Sequence, residues 1–133
     1  MYGASWRSPQ ALLPGGVTVG MLNRSAVIIT PLRPYLEWAK RDDDTGVAER
    51  VFETLRREPH VYLLPEYENT ESERAVLEHF WPQLFAAMLD CWLTDENQWP
   101  KDRTHGMIRE WFDVQMCSGV EDLHRGEELI ALD

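Results

Sequence analysis

The sequence predicts a small α+β domain, or a compact α/β one, in which a sheet of about three strands is packed by three to four helices. Three observations predict it. From residue 76 to 92 the apolar residues Val76, Leu77, Phe80, Trp81, Leu84, Phe85, Met88, Leu89 and Trp92 fall on one continuous helical stripe, with acids opposite. Two short apolar runs, residues 25–30 and 60–64, are each closed by a proline, as strands are. After residue 112, Val114, Met116 and Val120 alternate with Asp113, Gln115 and Cys117, a period of two with one wet face.

The elements follow in order. Residues 1–20 hold Gly3, Pro9, Pro14, Gly15, Gly16 and Gly20 and no acid, and patterned sequence begins just after a second methionine, Met21. They read as a flexible leader, or Met21 reads as the true start, with a short edge strand at residues 17–19 and a docked Trp6 as the alternative. Residues 21–133 then form a single domain with a weakly ordered acidic tail. Ser25-Ala-Val-Ile-Ile-Thr30 is a buried strand stopped by Pro31. Pro34 suits the first turn of a helix to about residue 41. Asp42, Asp43 and Asp44 precede a second helix over residues 46–57, where acids favour the N-terminus and Arg56 and Arg57 favour the C-terminus.

His60-Val-Tyr-Leu-Leu64 is the second strand. Thr70, with Glu73 three residues on, has the form of a capping box for the stripe helix. Pro82 lies inside that stripe, so a kinked helix or two abutting helices is expected. Asp102 or Thr104 caps a further helix over residues 103–112, and the alternating strand follows. The order is β-α-α-β-α-α-β. A helical crossover between the first two strands suggests a parallel pair.

Charge is unevenly placed. The net of -10 divides into +1 over residues 1–65 and -11 over residues 66–133. Such a surface repels phosphate backbones, so nucleic acid is disfavoured as a partner and a basic protein is favoured. No apolar run reaches the length of a membrane span, which excludes a helical membrane protein. Cys91 and Cys117 match no metal or redox spacing and read as free thiols in a reducing cytoplasm. His60, His79, His105 and His124 form no helical i, i+4 metal pair, so neither metal nor cofactor is expected. Neither a nucleophile elbow nor a phosphate-cradling glycine loop is present.

Several segments are similar to a family of small, uncharacterised bacterial cytosolic proteins. They are Asn23-Arg-Ser-Ala-Val-Ile28, Pro34-Tyr-Leu-Glu-Trp38 and Val61-Tyr-Leu-Leu-Pro-Glu-Tyr67, then Trp99-Pro-Lys-Asp-Arg-Thr104 and Glu110-Trp-Phe-Asp-Val114. The resemblance runs from about residue 21 to 123. It implies that residues 1–20 are additional to a common body. The family has no assigned activity, so the resemblance implies no catalytic residues.

Two constellations are candidate sites. Parallel first and second strands would gather Thr30, Arg33, Glu66 and Tyr67 at one sheet edge, where open α/β sheets bind ligands. The Trp99–Arg103 connection would pack over that edge, and Arg33 and Arg103 would hold an anion or pair with Glu66. The alternative is that these residues cap strand ends and form surface ion pairs. Trp99, in a polar loop before Pro100, is either an exposed interface anchor or a lid on the core. The sequence therefore reads as a cytoplasmic, non-catalytic protein–protein interaction module of adaptor, immunity or regulatory type. A small enzyme or ligand-binding protein using a crevice near Glu66 is the alternative.

Overall fold

The computed structural model describes residues 11–12 and 18–132. Strand β1 is Ala11–Leu12, β2 is Thr18–Met21, and β3 is Ser25–Pro31. Helices α1 (Arg33–Lys40) and α2 (Val47–Arg57) follow, then β4 (His60–Leu64) and the long α3 (Thr70–Asp90). A short 3-10 turn (Glu96–Gln98), α4 (His105–Trp111), β5 (Phe112–Cys117) and β6 (Glu121–Asp122) complete the chain. The architecture is α+β.

The main sheet has the order β4-β3-β5, and both pairings are antiparallel. The parallel pair expected from the helical crossover is thus corrected. α1 and α2 return the chain to the end of the sheet it left, so β4 runs back along β3, with Ile29 opposite His60 and Ser25 opposite Leu64. On the other flank Ala26 faces Cys117 and Pro31 faces Phe112. A smaller antiparallel sheet, β1-β2-β6, sets Met21 opposite Glu121. β2 overlaps the edge strand expected at residues 17–19. The rest of the leader, residues 1–10 and 13–17, and with it the docking of Trp6, lies outside the described residues.

Register divides the main sheet into two rows. Val27, Ile29, Tyr62, Leu64, Phe112, Val114 and Met116 share one face. An aromatic cluster covers it: Tyr35, Phe85 and Phe112 are completely buried, with Tyr35–Phe112 centroids at 5.4 Å and Phe85–Phe112 at 5.5 Å, edge to face. Such tilted contacts are the favourable ones for ring quadrupoles. The Tyr35 hydroxyl donates to the Met88 carbonyl at 2.7 Å, so α1 and α3 are joined by a polar bond within the core. Burial pushes the Tyr35 phenol far above its ordinary range. Ser25, fully buried, donates from Oγ to the Pro65 carbonyl at 2.7 Å and ties the start of β3 to the end of β4.

Local chemistry explains the helix boundaries. α3 is capped one residue earlier than expected: Asn69 Oδ1 accepts from the Ser72 amide and Ser72 Oγ accepts from the Asn69 amide, a capping box built on Asn69 and Ser72 instead of Thr70 and Glu73. α3 then runs as one helix through Pro82, which is exposed, so its missing donor falls on the water side. Thr104 caps α4 through the Met107 amide. Before α2 the acid run acts through one member. Asp43 accepts from the Thr45 hydroxyl and amide and from the Ala48 amide at 2.9 Å, and these bonds hold its carboxyl below the usual range. Gly46, at φ 82°, takes the left-handed turn that lets this loop close.

Candidate functional site

The strand-end residues expected to converge are divided between the two ends of the sheet. Thr30 lies opposite Asp113 at the end where α1 begins, and Arg33 is the first residue of α1, exposed. Glu66 and Tyr67 follow the far end of β4, beyond the Ser25–Leu64 pair. Antiparallel pairing is the reason, and the expected crevice is not assembled. Trp99 and Arg103 do meet, with the guanidinium carbon 5.6 Å from the ring centroid. Trp99 is buried, its Nε1 donating to the Leu93 carbonyl at 2.7 Å, while Arg103 donates to the Pro100 carbonyl at 2.6 Å. Trp38 Nε1 reaches the Gln98 carbonyl at 3.0 Å. Trp99 is therefore a lid on the core, not an exposed anchor. Trp38 is buried as well.

Two other regions carry functional geometry. The first is β4, a terminal strand of its sheet, hydrogen-bonded to β3 alone among the described residues. Its outer-row side chains are apolar and open: Val61 is 57% exposed and Leu63 is 50% exposed, whereas inward-facing Leu64 is only 4% exposed. Acids follow the strand, while mixed charge, exposed Arg56 and Arg57 beside Glu58, precedes it. The acids that follow are Glu66, Glu68 and Glu71, all exposed. Cys91, just past the end of α3, lies beside the first residue of β4, with Sγ 3.8 Å from His60 Nδ1.

The Cys91–His60 contact is not an activated nucleophile. Burial, and secondarily the Asp90 carboxylate, push the thiol pKa up, and the thiol points to the Ala87 carbonyl at 3.4 Å. Tyr62 completes this corner, with its hydroxyl 3.4 Å from His60 Nδ1 and 3.6 Å from Met88 Sδ. Burial, with a smaller contribution from Cys91, pushes its pKa up to about 12. Among the described residues no group of three metal-ligating side chains converges, and no helix is long and apolar enough to cross a membrane. Both cysteines are free and half-buried.

The second region is a cleft of about 520 Å³ between the first turns of α3, α4 and the inner row of β5. Leu77, Val114 and Met116 give it apolar walls, and Thr70, Glu73, Arg74, His105 and Arg109 give it polar ones. His105 is held by a parallel stack on Trp81, at 6.0 Å and 3°. Arg74 and Arg109 make no ion pair or side-chain hydrogen bond among the described residues.

Neither region is evident from sequence. The run His60–Leu64 is too uniformly apolar to reveal which row faces water. Arg74 and Arg109 are 35 positions apart on different helices, and only the packing of α3 on α4 joins them. Comparison with protein-family models, with curated proteins and with solved structures finds no match to this chain.

Proposed function

We propose that this protein is a cytoplasmic, non-catalytic interaction module that receives a basic protein on the open edge of β4, in an adaptor, immunity or regulatory role. One observation carries the reading: an edge strand that pairs only with β3 among the described residues, with exposed Val61 and Leu63 and the exposed acids Glu68 and Glu71 following it. An edge strand offers a row of unpaired backbone groups to an incoming extended segment, and alternate outward side chains supply the pockets. The carboxylates of Glu68 and Glu71 select for lysine and arginine in that segment and speed its approach. The chain's net charge of -10 disfavours nucleic acid in the same place.

The test is affinity capture from native lysate at low and physiological salt, with the wild-type chain and a Val61→Lys/Leu63→Lys variant as parallel baits. The reading expects a stoichiometric basic protein that weakens as salt rises and is lost with the variant. Equal capture by both baits, or capture independent of salt, would overturn it.

A further inference from the structure

We infer that the cleft between α3, α4 and β5 is a binding site for a small amphipathic carboxylate, whose charged head is held by Arg74 and Arg109 and whose apolar body lies on Leu77, Val114 and Met116. The volume, about 520 Å³, falls among those of small-molecule sites, and its lining sets three apolar side chains beside five polar or charged ones. Only five Lys and Arg side chains occur in residues 66–133, against sixteen Asp and Glu. Two of the five line this one cleft, and neither is paired with a carboxylate among the described residues. In an acidic half of a chain, unpaired guanidiniums gathered over apolar walls form the local exception to the surrounding field.

Charge decides the class of anion. Arg74 and Arg109 against Glu73 give the lining a formal +1 before His105 is counted, which suits a monoanion. A phosphate dianion would be bound less well, because the second charge meets Glu73 and the field of a chain at -10. Guanidinium groups bind carboxylates through paired N–H donors, a geometry that lysine cannot supply. Thr70 adds a hydroxyl, and the stack on Trp81 fixes the His105 ring at the wall, ready to donate or accept. The site is remote in the sheet from the β4 edge, since β3 lies between β4 and β5.

The experiment is a 1H–15N NMR titration of the full chain with three probes: 4-phenylbutyrate, its neutral amide, and inorganic phosphate. The carboxylate should give saturable shifts centred on Thr70, Arg74, His105, Arg109 and Met116. The amide and phosphate should each bind about tenfold more weakly or worse, as expected when a charge-assisted hydrogen bond or the apolar body is missing. Arg74→Gln and Arg109→Gln should each weaken the carboxylate by about tenfold with an unchanged far-UV spectrum. The Val61→Lys/Leu63→Lys variant should bind it as the wild type does, which separates this site from the β4 reading. An absence of saturable shifts, an amide or phosphate equal to the carboxylate, or affinity retained in both arginine variants would overturn the assignment.

Discussion

The two edges of the main sheet differ in what they leave open. At β4 the outer apolar side chains of Val61 and Leu63 face water, and the acids Glu68 and Glu71 follow the strand. Along β5 the inner row borders a cleft whose lining includes two arginines, neither in an ion pair among the described residues. Both edges flank the same central strand, β3, whose Val27 and Ile29 are completely buried. One sheet thus presents a surface suited to a polypeptide on one side and a concavity suited to a small anion on the other.

That contrast can be broken at neighbouring positions of a single strand. Leu64→Ala empties a core position and should cost about 2–5 kcal/mol in chemical denaturation, because the site cannot fully collapse around the lost atoms. Leu63→Lys, one residue earlier and half exposed, should leave stability within about 0.5 kcal/mol while abolishing capture of the basic partner. If Leu63→Lys destabilised as much as Leu64→Ala, the outer row would be structural and the contrast would fall. Within the core, Tyr35→Phe removes the hydroxyl bond to the Met88 carbonyl, which keeps only the longer bond from the Cys91 amide at 3.3 Å, and should cost about 0.5–1.5 kcal/mol by thermal or denaturant unfolding.

Titration supplies a smaller and sharper test. The neutral Tyr62 phenol is favoured in the fold, where burial raises its pKa to about 12, while the unfolded chain ionises at the ordinary value near 10. Between these values the unfolded state holds fewer protons than the native one, so stability must fall as pH rises through this window. Tyr35, raised in the same direction, adds to the fall. Denaturation midpoints measured from pH 9 to 11.5 should decline, and Tyr62→Phe should make the decline shallower. An identical slope in the variant would place Tyr62 in solvent.

Smallest in effect is the loop before α2. Asp43→Asn keeps the shape but weakens the acceptor for the Thr45 and Ala48 groups, so a slight loss of thermal stability is expected at neutral pH. Because the native carboxyl titrates below its ordinary range, the wild-type advantage should be present above that range and vanish as pH falls through the lowered value. A pH-independent difference would contradict the capping role.

Much of this fold was legible in local chemistry. The boundaries of β4 coincide with the run 60–64 between prolines, Thr104 caps α4, and the stripe from residue 76 to 92 supplies Phe85, Met88 and Leu89 to the core. Where local signals competed, the reading shifted. Asn69 out-competed Thr70 as a cap because Ser72 could answer it from the N3 position. Strand direction was not legible, because α1 and α2 form a compact pair whose exit point no local pattern encodes. That one long-range feature divided Thr30 and Arg33 from Glu66 and Tyr67. The indole N–H of Trp99 shows why the lid alternative holds: a polar loop holds a buried ring when a carbonyl such as that of Leu93 satisfies its donor.

The central claim is that the β4 edge is the surface on which a basic partner docks. Amide hydrogen exchange across His60–Leu64, measured on the free chain and on the chain saturated with the captured basic protein, tests it most directly. The account predicts that the β4 amides not bonded to β3 exchange rapidly in the free protein and become protected in the complex, with Val61 and Leu63 at the centre of the footprint. Unchanged exchange in β4, with protection confined to another element, would contradict it.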